Sequence, residues 1–306
     1  MKKYIIILAL TVIGISTMAQ QDALFSQYMF NKLVINPAYA GTRNALSLTM
    51  VGRQQWVGLD GAPSTFTFTI HSPLKNERIG LGLYCYTDAV GPVRTSGIIP
   101  TFSYKVRLGP GQLSFGLQFG VKHMTIDWSK VVMPEANDVA YMGQSGDNMI
   151  LDANFGMYYY TDNFYVGISS KHLFEQEMGT LELEDGLVYA TLLRHFYGMA
   201  GVAIPINENL ALKPSILVKY VKNAPVQVDI NANLLIYQRF WLGVSYRTEK
   251  VAVFLAEVLV GNHMRIGYSY DIFLNQLKVT NRGSHEVLIG FDIPVFNRRM
   301  MTPRYF

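Results

Sequence analysis

Three stretches of the chain alternate strictly between oily and wet side chains. Ser64 to Ser72 places Phe66, Phe68 and Ile70 on one face and Thr65, Thr67, Thr69 and His71 on the other. Gly111 to Lys122 sets Leu113, Phe115, Leu117, Phe119 and Val121 against Ser114, Gly116, Gln118, Gly120 and Lys122. Val226 to Ile236 sets Val228, Ile230, Ala232 and Leu234 against Gln227, Asp229, Asn231 and Asn233. A period of two marks β-strands whose faces meet different surroundings. A soluble sandwich also alternates, but its outer face is rich in Lys and Glu; here the second face is Gly, Ser, Thr, Gln and Asn.

Segments of this kind recur to give about fourteen strands, the spacing of an outer-membrane barrel. The expected cores are Ala45 to Arg53, Ser64 to Ser72, Arg78 to Thr87, Gly97 to Leu108, Gly111 to Asp127, Ile150 to Thr161 and Phe164 to Leu173. The second half continues with Ala190 to Ile204, Leu210 to Tyr220, Val226 to Ile236, Phe240 to Arg247, Val251 to Val260, His263 to Asp271 and His285 to Val295. Connections after even-numbered strands are short: "PLKNE", "GPG", "TDN", "PINEN", "YQR" and "GN". After odd-numbered strands come the long segments Trp128 to Met149, Phe174 to Tyr189 and Ile272 to Ser284, although "TEK" at Thr248 to Lys250 is short. Barrels of the outer membrane pair short periplasmic turns with longer outside loops, so both ends of the mature chain are expected in the periplasm.

Composition sharpens this picture. Half the residues are hydrophobic and only 16% are charged, yet beyond the N-terminus no segment holds the roughly 18 consecutive apolar residues of a membrane helix. Closed barrels and helices are the structures that satisfy every backbone group inside lipid, which leaves an all-β transmembrane antiparallel barrel. Tyr84, Tyr86, Tyr104, Tyr158, Tyr159, Tyr160, Tyr220, Trp241, Tyr246, Tyr268 and Tyr270 fall near expected strand ends, where interfacial aromatics belong, or serve as ordinary strand formers. Charges on lumen-facing positions are Lys105, Arg107, Lys122, Asp152, Lys213, Lys219, Asp229, Arg247, Arg265 and Asp271, joined by Glu286 and Asp292. On the lipid face each would cost up to a few kcal/mol near the midplane. Their mixed signs fit either a water-filled pore or a lumen paired with an inserted segment.

The N-terminus reads as an address. Met1-Lys2-Lys3 is basic, Tyr4 to Ile15 is apolar, and Thr17-Met18-Ala19 ends small, the order of a secretory signal peptide cleaved near Gln20. The expected divisions are 1–19 signal peptide, 20–43 lead-in or plug, and 44–306 barrel. The single Cys85 forbids an internal disulfide. Net charge is +4 without a basic run, which gives nucleic acid no footing as a partner.

Catalytic patterns are absent from the sequence. The six histidines, His71, His123, His172, His195, His263 and His285, show neither metal-ligand nor HExxH spacing, and there is no GxSxG elbow. Ser269 near His263 and Ser169 near His172 are the best hydrolase candidates, and single scattered histidines are more often wall or loop residues. The loop Pro134 to Asn148 carries Asp138 and Asp147 without EF-hand spacing, and Phe174 to Gly186 gathers Glu175, Glu177, Glu182, Glu184 and Asp185. Both read as solvated outside loops. No enzyme activity, metal or cofactor is expected.

The stretch "FSQYMFNKLVINPAYAGT", Phe25 to Thr42, is neither a good helix nor a good strand. It resembles the start of mature PorP/SprF-type proteins of the Bacteroidetes type IX secretion and gliding system, which begin with an FSQYMFNP-like phrase followed by NPAYAG. Lys32 stands where Pro is common, and Asn36 to Gly41 matches fully. "RQQW" at Arg53 to Trp56, "GAPSTF" at Gly61 to Phe66 and "IGLGLYCYTDAVGP" at Ile79 to Pro92 also look like the family. The resemblance implies a non-enzymatic outer-membrane component. Its implied partners are membrane lipid, a secreted adhesin or its C-terminal domain, the translocon and the periplasmic ring proteins. The partner-binding or plug residues expected in the lead-in are Phe25, Gln27, Tyr28, Asn31, Asn36, Pro37, Tyr39 and Gly41. A barrel for hydrophobic small molecules, similar to the fatty-acid channels, is the alternative.

Overall fold

The computed structural model describes residues 22–75, 77–127, 147–183 and 186–295. The expected signal peptide, most of the loop with Asp138, and the tail after Val295 lie outside the described residues. The strands are β1 (Ala45–Gln54), β2 (Ser64–Pro73), β3 (Ile79–Val90), β4 (Val93–Leu108), β5 (Gly111–Ile126), β6 (Asp147–Tyr160) and β7 (Phe164–Lys171). They continue as β8 (Glu177–Leu183), β9 (Gly186–Thr191), β10 (His195–Val202), β11 (Ile204–Asn207), β12 (Leu210–Val221), β13 (Gln227–Ile236), β14 (Phe240–Arg247), β15 (Val251–Val260), β16 (Met264–Phe273) and β17 (Ser284–Pro294).

All but β8 and β9 join one antiparallel sheet that closes into a 14-strand barrel, with β10 and β11 forming one stave interrupted at Ala203. Closure between chain ends is by β1 on β17, in register from Ala45 opposite Pro294 to Gln54 opposite His285. At the interrupted stave β10 meets β12 from His195 opposite Val221 to Gly201 opposite Ser215. Closure leaves no sheet edge in lipid.

The alternation decides which face is which. Along β2 the threonines Thr65, Thr67 and Thr69 are buried, whereas Phe66 is 49% exposed. On β5 and β13 Gln118 and Asn233 are buried while Leu117 and Ile230 are exposed. The polar face therefore lines the lumen and the apolar face meets lipid, inverting the arrangement of a water-soluble protein.

Local differences from the expected elements have physical causes. Phe174 to Tyr189, expected as a loop, contains the separate hairpin β8–β9, and the first residues of the expected strand Ala190 to Ile204 belong to that hairpin. Strands β3 and β4 run past their expected ends to a tight turn at Gly91-Pro92, where Gly91 takes φ +56°. The segregation of loop length by parity is thus broken there as well as at Thr248 to Lys250. Several expected interfacial aromatics face inward: Tyr84, Tyr158 and Trp241 are buried in the lumenal core, with Tyr86 and Tyr160 packed against it. Their positions alternate with lipid-facing neighbours, and what they pack against is the lead-in.

Candidate functional site

The segment before β1 fills the lumen. Its sequence dictates a compact, irregular course: short 3₁₀ turns at Lys32–Val34 and Pro37–Tyr39, each too brief to be a helix. Pro37 opens the second turn, where its fixed φ and missing N–H cost nothing. The Asn36 side chain caps it by accepting from Ala38 N at 2.9 Å. Gly41 ends the segment at φ +65°, with Gly80 Cα only 2.7 Å from where a Cβ would stand.

The wall supplies partners for the backbone groups that this irregular course leaves over. Asn36 Nδ2 donates to Met157 O at 3.0 Å and to Ile168 O at 3.1 Å, tying the turn to β6 and β7. Ser169 Oγ donates to Ile35 O at 2.7 Å, Ser103 Oγ to Ala40 O at 2.7 Å, and the Lys105 ammonium to Gly41 O. Thr69 Oγ1 donates to Asn31 Oδ1 at 3.0 Å. Gly41 N donates to His71 Nδ1 at 3.2 Å. Side chains absent from the wall matter equally: a Cβ on Gly116, Gly156 or Gly80 would run into Ala38, Asn36 or Ala40.

Apolar contacts complete the seat. Tyr28, Leu33, Ala38, Tyr39 and Ala40 are 3% exposed or less and share one cluster with Tyr84, Tyr158, Tyr165 and Trp241 of the wall, with Phe25 packed against it. Tyr39 meets Tyr158 edge-on at 5.6 Å, and Phe30 lies 5.9 Å from Trp241. Lys32 is 1% exposed and sits over the Tyr165 ring at 4.5 Å and the Tyr39 ring at 5.0 Å.

Charges hold the segment at three levels. At the level reached by the ends of β6 and β7, Asp22 accepts from Lys171 at 2.8 Å and contacts His172 Nε2 at 2.9 Å, while His172 Nδ1 contacts Asp152 at 2.9 Å. Burial works against the Asp22 charge, but Lys171 and His172 outweigh it and hold the carboxyl well below its usual range. The backbone at His172 is left-handed, φ 58°, an uncommon conformation for a non-glycine residue. Next, Ser26 N and Gln27 N both donate to the Glu286 carboxylate at 2.8 Å, and Ser26 Oγ donates to Asp271 at 2.7 Å. Arg53 bridges both acids, at 2.7 Å to Asp271 and 3.0 Å to Glu286, and Arg247 links Asp271 at 3.7 Å to Asp229 at 3.1 Å. At the far end Arg43 and Arg265 hold Asp292 at 3.0 and 2.9 Å, with Glu257 beyond at 3.3 Å.

Of the lumenal charges expected from sequence, Lys105, Lys122, Asp152, Lys213, Asp229, Arg247, Arg265 and Asp271 are buried. Lys219 is half-buried against Asp229 at 3.2 Å, and Arg107 is exposed at the end of β4. Arg53, Arg43, Ser26, Lys171 and His172 were missed. Arg53 was legible, since it continues the inward series Ala45, Ser47, Thr49 and Val51; the others lie at strand ends or outside strands, where alternation says nothing. Ser169 is engaged by the Ile35 carbonyl rather than by His172, and His263 Nδ1 faces Asp292 O rather than Ser269. No cluster of three metal-ligating side chains occurs among the described residues.

The segment also has a direction. Asp22 lies with the starts of β6 and the end of β7, at the mouth bearing the longer loops, whereas Arg43 and Pro294 lie at the opposite mouth. The lead-in threads the barrel from end to end. Asp22 thus stands at the long-loop mouth and Val295 on the short-turn side, and the chain ends beyond them, on which the expectation of a shared periplasmic side falls, lie outside the described residues. Alternation carries no signal for the course of an irregular segment, so the path of residues 22–43 through the lumen was not legible from strand periodicity.

A family model described as "Type IX secretion system membrane protein PorP/SprF" matches residues 17–291. No curated protein matches the sequence. Among solved structures, the CymD monoaromatic hydrocarbon channel is similar over 94% of this chain and 97% of its own, at 13% identity and a TM-score of 0.53, a likeness of fold alone. Omp33 of Acinetobacter baumannii is similar over 81% of this chain and 99% of its own, at 9% identity and a TM-score of 0.49.

Proposed function

The chain belongs to the PorP/SprF family of type IX secretion system membrane proteins, and from that premise we propose that it is a plugged docking barrel rather than a conduit. It holds a secreted adhesin, or the adhesin's C-terminal domain, at the cell surface and meets the periplasmic ring with its other mouth. The family is a secretion component of the outer membrane and not an enzyme family.

One observation carries this reading: the lumen is occupied along its length by residues 22–43, which charges hold at three levels. A conducting barrel needs an open or easily opened lumen. Here every level of the plug would have to shed buried ion pairs or hydrogen bonds, each costly to break inside a low dielectric. In this reading the long-loop mouth faces outward, the short turns and Val295 face the periplasm, and Asp22 stands near the outer mouth.

The test is removal of residues 21–40. The variant is expected to insert as a heat-modifiable barrel yet to lose secretion or surface retention of its partner, measured by surface proteomics of intact cells. Unchanged secretion and retention would overturn the docking role of the plug. The likeness of fold to a hydrocarbon channel makes uptake of hydrophobic small molecules the competing reading, and uptake into vesicles by the unaltered protein would favour it.

A further inference from the structure

The outer, lipid-facing wall carries a hollow that the plug does not explain. Between β12 and β16 small side chains, Ala232 and Ala256, form a floor below Leu234, Leu242, Phe254 and Tyr268, leaving an open apolar volume of about 600 Å³. The registers place Ala256 opposite Tyr268 and Leu242 opposite Ala256, so the hollow crosses three neighbouring strands in one row. Its upper row, with Tyr270, faces the long-loop mouth.

Above the hollow the loops are basic and polar. Tyr270 donates to Arg282 O at 3.0 Å, and the Tyr268 hydroxyl meets His285 Nδ1 at 2.7 Å. The loop after β16 is clasped to the turn after β14 by Leu274 N to Lys250 O at 2.8 Å and Asn275 Nδ2 to Glu249 O at 3.0 Å. Lys250, Lys278 and Arg282 stand exposed on the two clasped segments, with Glu249 on the turn and Asp60 on the neighbouring loop that Val57 ties to Arg282 and Gly283. The clasp also exposes Leu274 at 54% and Val279 at 90%, side chains placed for a membrane surface. An apolar trough ending in tyrosines under a cationic lip has the chemistry of a lipid with a phosphate head.

We propose that this face is a specific site for one anionic phospholipid of the leaflet at the long-loop mouth, with an acyl chain in the hollow and its net-negative headgroup at Lys250, Lys278 and Arg282. The site is independent of the docking role proposed above. It is tested on the full-length purified protein by native mass spectrometry after incubation with phosphatidylglycerol or phosphatidylcholine. The unaltered protein should retain one phosphatidylglycerol in preference to phosphatidylcholine. Ala256→Trp, which fills the floor, should reduce that retention about tenfold, with Ala232→Leu as a milder filling should the first fail to fold. The pair Lys278→Gln and Arg282→Gln should abolish the preference while leaving phosphatidylcholine retention unchanged. Equal retention by the filled and unaltered proteins, or no preference between the two lipids, would overturn the proposal.

Discussion

Arg53 is the residue whose loss should loosen the plug most. Its side chain is 1% exposed and bridges Asp271 and Glu286, both at 0%, and Nη1 also donates to Ser26 Oγ at 3.0 Å. In Arg53→Ala, Asp271 keeps Arg247 at 3.7 Å, but Glu286 keeps only the backbone donors Ser26 N and Gln27 N. Breaking a buried pair by removing one partner costs about 3–5 kcal/mol because it strands a charge. At 1.4 kcal/mol per tenfold, the seated plug loses roughly 10²-fold to a few thousandfold in population. Trp241 offers the readout, since it touches Phe30. With the other two tryptophans, Trp56 and Trp128, changed to Phe, its fluorescence should report plug release in a urea titration at a lower midpoint in Arg53→Ala. Adding Asp271→Asn and Glu286→Gln to Arg53→Met removes the stranded charges and should recover most of the loss. A midpoint for Arg53→Ala equal to that of the unaltered protein, or no recovery in the triple variant, would refute the pairing argument.

Three further outcomes follow from the same geometry. Gly116→Ala puts a Cβ against the Ala38 backbone and should displace the plug without preventing barrel assembly, seen as raised conductance in planar bilayers. Asn36→Ala removes a turn cap and two bonds to wall carbonyls, a loss of about 2–3 kcal/mol on the urea midpoint. Asp22 has its folded carboxyl held below its usual range by Lys171 and His172, so its contribution is full above the unfolded value near 3.9 and lost as pH falls through the lower folded value. Limited proteolysis at the N-terminal end of the plug should therefore stay slow from pH 7 down to about pH 4 and quicken only below it, whereas Asp22→Asn should be cleaved quickly throughout.

The barrel was legible because a lipid-facing strand must alternate, and Thr65 to His71 or Ser114 to Lys122 could not otherwise pair an oily face with a polar one. The lumenal charges were legible for the same reason. What escaped was whatever strand periodicity does not encode. Tyr84, Tyr158 and Trp241 have the composition of interfacial aromatics and only their parity, read against a filled lumen, assigns them inward. The hairpin β8–β9 hid in an acidic stretch that reads as a solvated loop. The path of Asp22 to Arg43 depends on tertiary partners, such as the Glu286 carboxylate on two successive backbone amides, and local propensity has no access to these.

The claim that this barrel docks a partner is tested most directly by co-purification. A tagged barrel recovered from detergent-solubilised outer membranes, with its companions identified by mass spectrometry, should bring down a large secreted protein or its C-terminal domain together with periplasmic ring proteins. Recovery of the barrel without any of them, under detergent conditions that preserve the translocon, would contradict the account.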